Sequence, residues 1–503
     1  MVICAEANSQ VGVGHVMRCM ALAQVWNTQG NRCVFFGGIE AGSLRERMIA
    51  DGCELVEPSP DPGDTVRRLN DMDINNAWVV LDGYHLGPEW QDVLVDSGFA
   101  VLCIDDGARL PRYRAQVIVS PDCDARPLSF ETPPSTLILA GPRYRLLRQG
   151  MAENTARPAI DGTKRAVLVA FGGADTRNVT LDVVKALDGI LSPEDRAIVV
   201  LGPANRHRVV VEDALKAVAY QSELLQDVAD MAAIYARADL AISAAGGAAW
   251  EMAASGLPAV LVPVAANQLP GAGFLADAGA ALRVDDPTAI AGEGFAAQVR
   301  DLLADRPRLA AMASAGRLVC DGKGAHRVLG ILSALEQGLK GNAYCLRRAV
   351  PDDMEQLLRL ANDPDVRASS FSPAPIALED HARWFAARIE SPDTAIFVLD
   401  LEGVVAAMVR YDRVAEDAEI DIAVHNAFRG RGLGVHILQA SASAAMRSLA
   451  VPLLRAVVLE RNLASRNCFI KAGFSEVGTE HVKGNDCRVF IRHAGQGESD
   501  ENA

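Results

Sequence analysis

Between Val2 and Pro263, apolar runs of four to six residues alternate with longer segments of helical period. A run that short, apolar on both faces, makes a strand only if both faces are covered. Helices between successive runs supply that cover, so the pattern restricts this part of the chain to parallel βαβ units. The strands are expected at Val2–Ala5, Cys33–Phe36, Ala77–Leu81, Ala100–Ile104 and Gln116–Ser120. A helix between the first two carries Val16, Cys19, Met20, Ala23 and Trp26 on one face and ends at Gly30. The polar stretch Gly150–Lys164 has no periodicity and reads as a linker. The pattern then restarts with Ala166–Phe171, Ala197–Leu201, Asp239–Ser243 and Pro258–Pro263. This predicts two Rossmann-like α/β halves, residues 1–150 and 151–338, forming a cleft with ligand bound outside the carboxyl ends of the strands.

A second linker, Glu336–Tyr344, precedes a change of texture. Strands are expected at Leu346–Ala349, Ala395–Leu399, Val404–Tyr411 and Glu419–Val424, followed by a glycine loop and a helix over Val435–Leu449. That order predicts a separate α+β domain over 344–494, with 495–503 a disordered polar tail. A chain of 503 residues has room for these domains. Its formal net charge of −15 argues against general affinity for nucleic acid or an anionic membrane. The ten cysteines show no metal-ligand spacing, no carboxylate cluster suggests a metal, and neither a leader nor a spanning segment is evident, which predicts a metal-free cytoplasmic protein. Protein partners are not legible.

The sharpest motif is Arg429-Gly430-Arg431-Gly432-Leu433-Gly434, between a strand and a helix. Such a turn leaves consecutive backbone N–H groups at a helix N-terminus, suited with two arginines to a pyrophosphate; alone, it is equally a tight loop. Asn462-Leu463-Ala464-Ser465 and Lys471-Ala472-Gly473-Phe474 follow. Together these resemble the GNAT superfamily of N-acetyltransferases. The resemblance spans Leu346–Ile491 and implies acetyl-CoA as cosubstrate, held by the loop, by Ala423 and Val424 on the preceding strand, and by Asn462 and Ser465. Many members carry a tyrosine seven residues after the asparagine as the acid for the departing thiolate; this chain has Phe469. Glu419 and Asp421 alternate onto one strand face and offer a general base, or are simply a solvated pair. Asn362, Arg367, His381 and Trp384, in a segment with Ser369, Ser370 and Phe371, resemble the subgroup that acetylates nucleotide-linked amino sugars. Without that resemblance the aromatics read as core.

Gly12-Val13-Gly14-His15-Val16-Met17-Arg18 is a second glycine turn into a helix, with neither a third glycine nor a Walker lysine. His15 either deprotonates water or caps the helix. Gly246 and Gly247 after the strand Asp239–Ser243 make another phosphate-admitting turn; Glu251, a helical turn on, suits ribose hydroxyls, and Asn267 and Gln268 would reach the same cleft. Added to these are Leu81-Asp82-Gly83-Tyr84, Gly141-Pro142-Arg143-Tyr144-Arg145-Leu146-Leu147-Arg148 and Phe171-Gly172-Gly173-Ala174-Asp175. In this order, over about Ile3–Val284, the motifs resemble the UDP-sugar hydrolase of the pseudaminic acid pathway, a relative of the GT-B glycosyltransferases. Cys4-Ala5-Glu6 stands where relatives show Arg-Ala-Asp. The two resemblances imply acetylation of a UDP-4-amino-sugar followed by release of UDP and a free diacetamido-trideoxyhexose for nonulosonic acid synthesis. A GT-B glycosyltransferase, or a non-catalytic UDP-sugar-binding module, joined to an acetyltransferase remains the alternative.

Overall fold

The computed structural model describes residues 1–7, 13–40, 42–151, 164–337 and 344–495. Gly12, most of both linkers and the tail beyond Gly495 lie outside the described residues. Two compact units divide the chain. One is Met1–Arg109, Val119–Ala125 and Ala140–Val328; the other is Leu110–Ile118, Arg126–Leu139 and Leu329–Ala503. Among the described residues no helix is long and apolar enough to cross a membrane.

The first sheet contains β1 (Val2–Ala5), β2 (Cys33–Phe36), β3 (Cys53–Val56), β4 (Trp78–Asp82), β5 (Ala100–Ile104), β6 (Val117–Ser120) and β7 (Leu137–Ala140), in the order β3-β2-β1-β4-β5-β6-β7. The pairings of β1 with β2 and β4, of β2 with β3 and of β4 with β5 are parallel. The second contains β8 (Ala166–Ala170), β9 (Arg196–Leu201), β10 (Gln221–Gln226), β11 (Leu240–Ser243), β12 (Ala259–Leu261) and β13 (Ala281–Arg283), ordered β10-β9-β8-β11-β12-β13 and parallel throughout. Alternation explains its two-sided burial. Val167, Val169 and Phe171 enter one core with Val199 and Leu201, while Leu168 and Ala170 enter the other with Ile198 and Val200. In both sheets the strand order reverses beside the first strand, between β1 and β4 and between β8 and β11. These are the switch points at which open α/β sheets leave a crevice at their carboxyl ends.

In these two sheets the expected strands are present with ends moved by up to two residues. β3, β7, β10 and β13 were not foreseen. β3 and β10 are edge strands with partly exposed residues, so neither carries the apolar run that marks a central strand.

The second unit is built on β14 (Tyr344–Arg348), β15 (Thr394–Leu401), β16 (Val404–Val414), β17 (Asp417–Val424), β18 (Leu453–Leu459), β19 (Ser475–Val482) and β20 (Asn485–His493), ordered β14-β15-β16-β17-β18-β20-β19. All neighbours are antiparallel except β17 and β18. Those two pair at only two positions, Ala418 with Leu454 and Glu419 with Arg455, and then part. The segment Arg126–Thr132 belongs to this unit: Arg126 pairs with Glu355 at 3.0 Å, and Arg359 donates to Pro127 O at 3.2 Å and to Thr132 Oγ1 at 3.0 Å.

Candidate active sites

The parting of β17 and β18 opens a cavity of about 1070 Å³, walled by Ile420–Val424 on one side and Ala456–Leu459 on the other. Among the described residues, the backbone of β17 beyond Glu419 has no strand partner on that side. At the end of β17, Gly430 and Gly432 take φ of +75° and +83°. This left-handed turn delivers the chain into helix α1 (Leu433–Leu449) with Gly432 as its N-cap. A Cβ at Gly434 would lie 2.8 Å from Cys468 Sγ, so the glycine permits the close approach of helix α2 (Leu463–Lys471). Asn462 caps that helix, its side chain accepting from Ser465 N at 3.0 Å, and both residues line the cavity with Ala423, Val424, Gly430, Gly432, Leu433 and Gly434. An extended, amide-rich wall ending in backbone donors at a helix N-terminus fits the pantetheine arm and pyrophosphate of a coenzyme A thioester.

The two motif arginines are occupied within the protein. Arg429 pairs with Asp365 at 2.6 Å and Asp363 at 2.7 Å and donates to Val424 O. Burial works against ionisation of Asp363, yet Arg429 and the amides of Val366 and Asp365 hold its carboxyl below the usual range. Arg431 donates to the carbonyls of Ala334 and Leu335 at 2.6 and 2.9 Å and does not line the cavity. Expected at a phosphate, its guanidinium lies instead at the end of helix Gly324–Gln337, on carbonyls of the last helical turn.

On the other wall, Arg410 and Asp412 of β16 lie opposite Asp421 and Glu419 of β17. Arg410 bonds Asp412 at 2.7 Å, pairs with Asp421 at 3.2 Å and sits 5.0 Å above the Trp384 ring. Glu419 is half exposed and accepts from Arg455 at 2.9 Å. His381 is buried, stacked on Phe385, and burial holds its imidazole below the ordinary value; its Nε2 has no partner. Trp384, His381, Arg367, Glu419 and Asp421 all line the cavity. Asn362 does not. Its amide exchanges hydrogen bonds with Ile376 N and O, each 2.8 Å, and so clamps the segment that carries Arg367. Phe469 lines the cavity at 2 % exposure, packed on Phe474 and Phe490, and offers no proton.

In the first unit, the crevice between β1 and β4 receives His15 from the start of helix Gly14–Thr28 and Tyr84 from just beyond β4. Their rings meet edge to face at 4.9 Å, and Arg109 covers Tyr84 at 4.7 Å. Arg18, one turn after His15, forks onto Asp82 with two bonds of 2.6 Å and reaches Asp106 at 2.5 Å. Burial pushes the His15 imidazole below its ordinary value, outweighing the pull of Asp82 and Asp106. The imidazole is therefore neutral at neutral pH, and Arg18 with Asp82 fixes the helix that carries it.

At the second switch point, Gly172 (φ +77°) and Gly173 follow β8, and Gly246 caps helix Gly247–Ser255 after β11. Gln268 turns its amide over Gly246 and accepts from Val264 N; Asn267 is exposed beside it. Glu251, expected at a ribose, is engaged within the protein: both of its oxygens accept from Arg148 at 3.0 Å and one also from Tyr235 Oη at 2.8 Å. Arg145 lies 4.1 Å over Trp250 of the same helix and bonds Asp122 at 3.0 Å. The segment Gly141–Arg148 thus fastens one half to the other through arginines. Sequence reasoning missed that role, and the alternation of Arg143, Arg145 and Arg148 with apolar residues was its only signal.

Residues 344–475 match the family model described as "Acetyltransferase (GNAT) domain", and residues 168–326 match "Glycosyltransferase family 28 C-terminal domain". The chain is 28% identical over 202 residues to the spore coat polysaccharide biosynthesis protein SpsG of Bacillus subtilis (strain 168), covering 40% of this chain and 59% of that protein. It is 30% identical over 178 residues to the UDP-N-acetylglucosamine–N-acetylmuramyl-(pentapeptide) pyrophosphoryl-undecaprenol N-acetylglucosamine transferase of Anaeromyxobacter sp. (strain Fw109-5), covering 34% and 46%. The chain thus spans about half the length of these curated relatives. A crystal structure of Acinetobacter baumannii MurG superposes with a TM-score of 0.49 at 18% identity, covering 66% of this chain and 99% of that one. Two parallel-sheet Rossmann-like halves, the second matching the glycosyltransferase family 28 C-terminal model, are followed by a mixed-sheet domain that matches the GNAT acetyltransferase model.

Proposed function

We propose that the chain acetylates the 4-amino group of a UDP-4-amino-sugar and then hydrolyses the product to UDP and a free 2,4-diacetamido-2,4,6-trideoxyhexose, as nonulosonic (pseudaminic) acid synthesis requires. Acetyl transfer rests on the parting of β17 and β18 above a glycine turn. Bound acetyl-CoA supplies a thioester-activated acetyl group. Backbone donors of Gly430–Gly434 would hold its pyrophosphate, and the unpaired edge of β17 at Ala423 and Val424 its amides. Trp384 gives the acceptor sugar an apolar platform. The Glu419 carboxylate takes the proton that the ammonium must lose before nitrogen attacks. With phenylalanine at 469, the departing thiolate takes its proton from solvent.

Hydrolysis rests on one observation, the His15 ring set against Tyr84 at the first switch point, where burial disfavours its protonated form. His15 accepts a proton as water oxygen bonds to the anomeric carbon and the carbon–oxygen bond to the diphosphate breaks. Gly14 and Gly246, each beside a helix N-terminus, favour the charge that develops on UDP. The test is mass-spectrometric, with UDP-4-amino-4,6-dideoxy-N-acetyl-altrosamine incubated with and without acetyl-CoA. Gain of one acetyl group followed by UDP release supports the scheme. Accumulation of the acetylated UDP-sugar without UDP would refute hydrolysis and point to a transferase or a binding module.

A further inference from the structure

Tyr84 and His85 follow β4 in succession and meet different neighbours at the first switch point. Tyr84 lies against His15, whereas His85 Nε2 stands 3.7 Å from Glu6 Oε1, one residue past the end of β1. That separation is too long for a direct hydrogen bond. Local packing sets the His85 ring. A Cβ at Gly83 would lie 3.1 Å from His85 Cε1, so the glycine lets the ring fold back on its turn, and Trp90 meets it edge to face at 6.4 Å. Among the described residues the Glu6 carboxylate is paired with no lysine or arginine.

Glu6 and His85 are two walls of a recess of about 10 Å³ at the carboxyl rim of the first sheet, bounded also by Phe36, Leu86 and Trp90 and by Ser59 from beyond β3. Ser59 Oγ is buried with no hydrogen-bond partner, a state that costs free energy until a ligand supplies one. Side-chain exposures of 30% for Glu6 and 49% for His85 leave the recess open to the crevice. Its volume is about that of one water-sized sphere, which admits a hydroxyl and is far too small for an acetamido group. Its chemistry agrees with its size. A carboxylate that only accepts stands across from an imidazole and a hydroxyl, which suits a group that donates and accepts at once.

The sugar of the hydrolysis reading has one such group. Carbons 2 and 4 carry acetamido groups, carbon 6 is deoxygenated, carbon 5 is closed into the ring and carbon 1 bears the diphosphate. Only the hydroxyl on carbon 3 remains. We propose that Glu6, His85 and Ser59 form the subsite for this 3-hydroxyl and fix which face of the sugar meets His15. The Glu6 carboxylate accepts the hydroxyl proton, and the Ser59 hydroxyl donates to the hydroxyl oxygen. This rests on the hydrolysis reading above and deepens it by naming residues that determine specificity; the adjacency of Tyr84 and His85 joins the subsite to the catalytic imidazole.

The experiment compares initial rates of UDP release from three sugars supplied already acetylated, so that acetyl transfer does not enter: the UDP-linked diacetamido sugar, its 3-deoxy analogue and its 3-O-methyl analogue. The native protein should prefer the 3-hydroxyl sugar to the 3-deoxy sugar by about tenfold to a hundredfold in kcat/KM, as hydrogen bonds to a charged group give. It should turn over the 3-O-methyl sugar no faster than the 3-deoxy one. Glu6→Gln should remove most of the preference by slowing the 3-hydroxyl sugar alone, Ser59→Ala should remove a smaller part, and Glu6→Asp should keep some of it. Glu6 is partly exposed, and an unchanged rate with the 3-deoxy sugar shows that its variant is folded. Equal use of the 3-hydroxyl and 3-deoxy sugars by the native protein would overturn the proposal. So would a Glu6→Gln variant that slows both sugars by the same factor or keeps the native preference; each of these leaves hydrolysis standing. Absence of UDP release from the parent sugar would instead remove the hydrolysis reading, and the subsite with it.

Discussion

Replacing Glu251 with alanine separates a ligand contact from a fastening between segments. Its carboxylate accepts two bonds of 3.0 Å from Arg148 and one of 2.8 Å from Tyr235 Oη, with the side chains of Arg148 and Glu251 only 19% and 13% exposed. Removing it strands a largely buried guanidinium and a buried phenol together. Breaking one partner of a buried pair costs about 3–5 kcal/mol, and the residual solvent access places this case near the lower end. At roughly 2–3 °C per kcal/mol for a unit of this size, the first unit should melt about 6–9 °C lower. Tyr235→Phe removes only a neutral donor and should cost about 1 kcal/mol. The double replacement Arg148→Met with Glu251→Leu removes both charges and should recover most of the loss. Scanning calorimetry with titrated UDP-sugar measures stability and affinity on one sample. An unmoved melting temperature with weakened UDP-sugar binding would refute the fastening and return Glu251 to the ribose.

Three further outcomes follow from local geometry. His15→Ala should lower kcat/KM for UDP release by about 10²–10⁴-fold; because burial lowers the His15 pKa, the native pH profile should rise with pH and level off with its inflection below the ordinary histidine value, as initial rates of UDP release would register. His425, at the end of β17, is pushed down to about 4 by burial and by Arg359. Its unfolded form takes up a proton near 6.5 while the native form resists until about 4, so stability of the second unit should decline as pH falls through that window, and His425→Gln should flatten the decline in a thermal-shift series. Gly434→Ala places a Cβ 2.8 Å from Cys468 Sγ, so it should cost about 1–3 kcal/mol and raise the acetyl-CoA KM, and adding Cys468→Ala should reverse most of both.

What the sequence made legible was whatever repeats along a single strand or helix. The central strands announce themselves because both faces are buried. Val167 to Phe171 sends alternate residues into opposite cores, and no polar residue interrupts it. Gln221–Gln226 has the same geometry at the sheet edge, where polar residues are tolerated, and left no signal. The glycine turns were legible for a related reason: left-handed φ at Gly430 and Gly432 is a property of each residue alone. The employment of charged side chains was not. Arg18 finds Asp82 across 64 positions, Arg148 finds Glu251 across 103, and Arg431 finds Ala334 across 97. A motif gives the position of an arginine and says nothing of the acceptor the fold brings to it.

That blindness has a chemical consequence for the proposed phosphate sites. Beside Gly14, the arginine of the motif is held by Asp82 and Asp106; beside Gly430 and Gly432, one arginine is held by two aspartates and the other by a helix end. A phosphate at either turn would be recognised by backbone amides and helix dipoles, which fix direction and distance but act only within the first helical turn. Long-range attraction of a doubly charged diphosphate in an acidic protein then has to come from cations without partners. Arg367 and Lys483, which line the cavity of the second unit and have no carboxylate partner among the described residues, are such cations. Acceptor capture there should weaken with ionic strength, whereas binding at the glycine turns should depend on it much less, because contact-range dipoles are little affected by a Debye length of about 8 Å at physiological salt.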